Sequence, residues 1–142
     1  MLSTKLYKKV HSQAEALLKA AQDEDTPLFN CLYDELNVLC EDHKGSEKNH
    51  PVQWETLADF TEESDQALVL YKKALAYAEQ DSLPDYIASI NYSMAVLLID
   101  CNDMEAAIVA AQKANEQLES IGDEELKQEI TALMNSLKKE CT

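Results

Sequence analysis

The chain has 142 residues, 46% of them hydrophobic, and a formal net charge of −15 at pH 7. This length suffices for a single domain with its own core. Two glycines and three prolines among many strong helix formers favour an all-α protein over one with strands. The longest wholly apolar run covers residues 94–99, which is too short for a membrane-spanning helix.

Apolar stripes at helical spacing predict seven helices. In chain order they span residues 3–22, 26–43, 51–60, 62–80, 84–101, 103–120 and 123–140. The stripe of the second helix consists of Leu28, Leu32, Leu36 and Leu39. Because most connections are short, successive helices are expected to run antiparallel. The longer connection, HKGSEKNH at residues 43–50, is polar and joins an N-terminal helix pair to the rest.

Proline, glycine and small polar residues mark the predicted helix ends. Prolines stand near three starts, where a missing N–H costs least: Pro27, Pro51 and Pro84. Glycines follow two helices, where a left-handed residue is expected: Gly45 and Gly122. The residues predicted to be N-caps are Thr26, Ser82 and Asn102.

Residues 67–79 and 107–119 repeat each other forty positions apart. The identical pairs are Ala67/Ala107, Val69/Val109, Lys73/Lys113, Ala74/Ala114 and Glu79/Glu119. Both copies fall on the second helix of a predicted helix pair. Alanine on one face allows two helix backbones to approach closely, so we expect Ala74 and Ala114 at close helix contacts.

The first helices of these pairs carry a matching pattern of large and small residues. It reads Trp54-x2-Leu57-Ala58 in one and Asn91-x2-Met94-Ala95 in the other. Together with the repeated alanines, this pattern resembles the tetratricopeptide repeat (TPR), W-x2-L-G-x2-Y followed by A-x3-F and a closing proline. Alanine replaces the family's glycine, no proline follows at the family's distance, and the period is forty instead of the usual 34. A generic helical bundle with coincidental alanines is the alternative.

The resemblance implies antiparallel helix-turn-helix repeats stacked as a short right-handed superhelix within one domain, residues 1–142. Its parts are an N-terminal helix pair (1–43), a joint (44–50), a first repeat (51–81), a second repeat (84–120) and a capping helix (123–140).

A function class also follows from the resemblance: a protein-interaction module that binds a partner peptide or helix in a concave groove. The family's groove positions map onto Val52, Glu55, Asp59, Ser89, Tyr92, Val96 and Asp100. Should the interface lie elsewhere, the sequence favours the acidic N-terminal pair around Asp34, Glu35, Glu41 and Asp42.

Charge is unevenly distributed along the chain. Residues 1–19 contain four lysines and one glutamate, a net +3, whereas residues 20–67 contain thirteen acids and two lysines, a net −11. Such a field attracts a basic partner and repels nucleic acid and anionic lipid. Acidic residues that serve only solubility are the alternative interpretation.

Motifs for catalysis are missing from the sequence. There is no phosphate-binding loop, nucleophile elbow or zinc-protease motif. Cys40-x2-His43-x6-His50 could offer three metal ligands, with Cys31 nearby, but structural zinc sites usually contain two tight ligand pairs. We therefore expect no enzyme activity, no cofactor and no metal.

Four cysteines without a C-x-x-C pair, and an N-terminus without a secretory signal, indicate a cytoplasmic protein. The sequence leaves the partner open, and an adaptor, a secretion chaperone and an immunity-type protein all fit. A structural subunit that self-associates, without a peptide ligand, is the alternative from another class.

Overall fold

A computed structural model describes residues 4–140, and this part of the chain folds into seven α-helices without strands. They are α1 (Thr4–Gln22), α2 (Thr26–His43), α3 (Pro51–Asp59), α4 (Ser64–Gln80), α5 (Pro84–Asp100), α6 (Met104–Glu116) and α7 (Glu124–Glu140). The predicted all-α class is confirmed. The largest boundary error is at α6, which ends at Glu116 and continues as a 3-10 turn over Leu118–Ser120, a common tightening of a last helical turn.

Three of the connections are the same tight turn, at α1–α2, α4–α5 and α5–α6. Each contains one residue with left-handed backbone: Glu24 (φ 56°), Ser82 (φ 53°) and Asn102 (φ 63°). The next residue donates its N–H to the carbonyl five positions back, as from Asp103 to Leu98 at 2.9 Å. This Schellman arrangement satisfies the last carbonyls of the preceding helix.

The predicted N-caps are therefore wrong by one residue. Ser82 and Asn102 end a helix, and the following residue precedes the next one. Asp103 caps α6 by accepting from the Ala106 N–H at 3.2 Å. In the same way Asp25, rather than Thr26, caps α2 through the Leu28 N–H.

The two glycines differ in role. Gly45 has the expected left-handed backbone, at φ 76°. Gly122 does not, and its N–H donates instead to the Asp85 carboxylate at 3.2 Å. A side-chain acceptor from α5 thus takes the place of the cap that was predicted there.

The described residues form two compact units that divide between Ala74 and Leu75, inside α4. In the first unit, α1, α2 and α3 pack on one another. Its largest fully buried side chains include Val10, Leu17, Leu36, Trp54 and Leu57.

The second unit packs α6 against both α5 and α7. One core cluster joins Ala88, Ala114, Ile121 and Ile130, with Tyr92, Leu118, Leu126 and Met134 packed against it. No described helix has the length and apolar character needed to cross a membrane.

The sequence repeat between α4 and α6 is also a repeat of burial. Ala74, Ala107 and Ala114 are fully buried, and Ala67 is nearly so. The valines of the repeat are exposed, Val69 by 62% and Val109 by 48%. The two stretches therefore present the same buried and exposed faces, and both Ala74 and Ala114 are interior residues, as the predicted close helix contacts require.

Candidate functional site

Three residues of the predicted groove lie on one face of α3. Val52 and Glu55 are half-buried and Asp59 is exposed. Trp54 anchors this helix: its side chain is fully buried, and its indole N–H donates to Asn49 Oδ1 at 2.7 Å. The helix that presents the three residues is thus held firmly at its start.

The Asp59 carboxylate has a specific partner in α4. Tyr71 Oη donates a hydrogen bond to Asp59 Oδ1 at 2.5 Å. Desolvation raises the pKa of Asp59 from 3.8 to about 6, although the hydrogen bond from Tyr71 acts in the opposite direction. The shift brings the pKa of this carboxyl toward neutral pH, although Asp59 as a whole residue is exposed to solvent.

The remaining predicted groove residues lie on α5, in the second unit. Val96 and Asp100 are exposed, and Ser89 and Tyr92 are half-buried. Tyr92 packs against the core cluster at α7. Desolvation raises the pKa of the Tyr92 hydroxyl, and the charge of Glu129 and a hydrogen bond to it act in the same direction. Tyr92 thus already has intramolecular contacts, which a partner would share or displace.

A groove of about 500 Å³ lies between α1 and α2 in the first unit. Its polar lining comprises three carboxylates, those of Asp34, Glu35 and Asp42, together with Lys9, Gln13 and Cys31. Val38 lies among these residues with 58% of its surface exposed. The sequence had offered Asp34, Glu35, Glu41 and Asp42 as the second choice for an interface, and Asp34, Glu35 and Asp42 line this groove whereas Glu41 does not.

Two features of the groove favour a ligand that donates hydrogen bonds. Gln13 Nε2 reaches Glu35 Oε2 at 3.4 Å, whereas Gln13 Oε1 is buried without a hydrogen-bond partner. Asp42 lies in the last turn of α2, where the helix dipole disfavours negative charge. A positively charged donor would relieve both conditions.

Sequence reasoning missed Lys9, Gln13 and Val38. Val38 could have indicated this groove from the sequence, because it is an apolar residue outside the leucine stripe of α2. Leu28, by contrast, belongs to that stripe but is 47% exposed.

The residues considered as metal ligands are engaged in hydrogen bonds within the protein. The Cys40 thiol donates to the Gln53 carbonyl at 3.4 Å, and burial raises its pKa to about 12. His43 Nδ1 lies 3.1 Å from Gln53 Nε2, and His50 Nδ1 accepts from the Val52 N–H at 3.0 Å. Among residues 4–140, no group of three His, Cys, Asp or Glu side chains has an arrangement that could hold a metal ion.

Comparison with known proteins gave no match to a family model, to a curated protein or to a solved structure.

Proposed function

We propose that this protein is a non-catalytic interaction module that binds a basic protein or peptide. The observation that carries the proposal is the groove between α1 and α2, which is lined by three carboxylates and an exposed valine. The aliphatic stem of a lysine or arginine can pack on Val38 while its charged end meets Asp34, Glu35 or Asp42. The adaptor, secretion-chaperone and immunity interpretations all remain compatible with such binding.

Electrostatic steering supports the same function. The net −11 of residues 20–67 includes the acids of the groove. A field of this sign accelerates encounter with a cationic partner and weakens as salt is added. The TPR-like groove positions on α3 and α5 are proposed as further contacts, with Asp59 and Asp100 contributing to the field and Val96 to apolar contact.

Self-association is the second candidate, and one observation favours it. Lys5, Lys8 and Lys9 are exposed on α1 and carry the only cluster of positive charge in the first nineteen residues. A second copy could place its Lys5 and Lys8 on the acidic groove, which Lys9 of the first copy already lines. Light scattering behind size exclusion distinguishes the two, because self-association raises the mass with protein concentration in the absence of any partner.

The test of the proposed function is capture of partners from the native cell at low and at high salt. The binding variant is Asp34→Asn/Glu35→Gln/Asp42→Asn. Its control, Asp81→Asn/Glu116→Gln/Glu119→Gln, changes the net charge equally at exposed positions of the second unit. We expect a basic partner that the control retains and the groove variant loses. Equal capture by both variants at every salt concentration would place the interface outside this groove.

A further inference from the structure

The α2–α3 connection, residues 44–50, is fastened to α3 by side chains of the core. Gln53 Nε2 donates to the Lys48 carbonyl at 2.8 Å, and Trp54 Nε1 donates to Asn49 Oδ1 at 2.7 Å. Both Gln53 and Trp54 are fully buried. A charged surface segment is thus held in one conformation by buried donors.

The Lys48 carbonyl also determines the protonation of His43. A carbonyl only accepts, so the group of Gln53 that faces it must be the NH2 group. The same nitrogen lies 3.1 Å from His43 Nδ1. Because this nitrogen only donates, His43 Nδ1 must accept, and its ring is neutral with the proton on Nε2.

His50 obeys the same requirement at the start of α3. It is the N-cap residue, and its Nδ1 accepts from the Val52 N–H at 3.0 Å. A backbone N–H only donates, so this ring also needs an unprotonated Nδ1. His50 is only 6% exposed, which leaves its ring little room to turn away.

We propose that the α2–α3 connection is a proton-sensitive element, whose contacts with Gln53 and with the Val52 N–H require His43 and His50 to be neutral. Imidazolium donates from both nitrogens, so protonation removes both acceptors. Gln53 Oε1 is buried without a partner and could accept from protonated His43 if the amide turned over. That turn would set the same oxygen against the Lys48 carbonyl, and the connection would detach there.

Other charged or titratable groups lie on the connection and on the elements that pack beside it. Lys73 of α4 lies over the Trp54 ring, 4.6 Å from its centroid. The other elements that pack here contribute Lys9 of α1, Cys40, Glu41 and Asp42 of α2, Lys44, Glu47 and Lys48 of the connection, and Glu55 of α3. The inference is independent of partner binding.

Trp54 is the only tryptophan of the chain, so its emission and its indole N–H resonance report on the connection without ambiguity. We expect both signals to change as the pH falls from neutral into the acid range and the rings are protonated, while far-ultraviolet circular dichroism stays helical. Loss of the cap hydrogen bond should lower the hydrogen-exchange protection factor of the Val52 amide roughly fivefold. At neutral pH, nitrogen chemical shifts should show an unprotonated Nδ1 in both rings.

The decisive variant is His43→Asn/His50→Asn, because the Asn oxygen can occupy the place of Nδ1 and does not titrate in this range. We expect it to abolish the change at Trp54. The controls are His11→Asn, an exposed histidine of α1, and Asp59→Asn, which removes a carboxyl that titrates near the same pH. Both controls should retain the transition. A transition that persists in the double variant, or an Nδ1-protonated ring at neutral pH, would overturn the proposal.

Discussion

Tyr71 of α4 donates a hydrogen bond to Asp59 of α3 at 2.5 Å, and the pKa of that carboxyl is nevertheless raised to about 6. Desolvation outweighs the hydrogen bond, since the two act in opposite directions on the same group. Without the Tyr71 hydroxyl, the pKa of Asp59 would therefore report the desolvation effect alone.

The first prediction follows from this pair. Between the ordinary pKa of 3.8 and about 6, the folded state binds more protons at Asp59 than the unfolded state does. Stability contributed by this group is therefore present below that window and lost as the pH rises through it. Carbon NMR should give an Asp59 midpoint near 6, and Tyr71→Phe should move it higher. Denaturant unfolding at several pH values measures this loss of stability. The His43→Asn/His50→Asn background excludes a contribution from the two histidines, and Asp59→Asn in that background should remove the pH dependence. A midpoint near 3.8 would contradict the desolvation argument.

The second prediction concerns the repeated alanines. Ala74 and Ala114 are fully buried, so leucine at either position overpacks the interior and should lower the free energy of unfolding by about 1–3 kcal/mol. Ala76→Leu is the matched control, because Ala76 is exposed on the same helix as Ala74. Thermal and urea unfolding measure the difference. Wild-type stability in both buried variants would show that these positions tolerate larger side chains.

The third prediction concerns thiol reactivity. Cys31 and Cys101 are exposed, whereas Cys40 is buried, its thiol donates to Gln53, and its pKa is raised to about 12. In a Cys141→Ser background, two thiols should react rapidly with an aromatic disulfide reagent and Cys40 only on unfolding. Mass spectrometry after partial labelling identifies the modified positions. Rapid modification of Cys40 in the native protein would show that the α2–α3 region opens readily.

The fourth prediction uses the left-handed turns. Ser82 has φ 53°, a conformation that glycine adopts without the steric cost of a Cβ. Ser82→Gly should therefore stabilise the protein, by roughly 0.5–1 kcal/mol. Asn102→Gly should give less, since asparagine tolerates this conformation well. As a control, Ser136→Gly places the same substitution on the exposed face of α7 and should destabilise by a similar amount. Equal effects at Ser82 and Ser136 would refute the role of backbone strain.

The sequence predicted helix positions well because each helix carries its own periodic signal, and because proline marks the start of α2, α3 and α5. It misplaced the caps at Ser82 and Asn102 because a small polar residue suits either a left-handed helix end or an N-cap, and only the backbone conformation decides between them.

Contacts between residues far apart in the chain could not be predicted from local sequence patterns. Asp59 was predicted as a groove acid, but nothing local indicated the hydroxyl of Tyr71 twelve residues away. Tyr92 was predicted as a partner contact, and its packing against the core cluster at α7 depends on how that last helix folds back. The groove between α1 and α2 likewise required the helices to be placed in space before Lys9 and Asp42 could be joined.

The division of the chain inside α4 has a practical consequence for mapping interactions with truncated fragments. A cut in the connection before α4 removes Ala67, Tyr71 and Ala74 from the first unit, and all three are buried. A cut in the turn after α4 deprives the second unit of residues 75–80, among them the buried Ala78. Each cut thus truncates the interior of one of the two units, so a failure of that fragment to bind would not locate the proposed interface. Point substitutions at exposed positions of the intact chain are the sounder way to locate the interface.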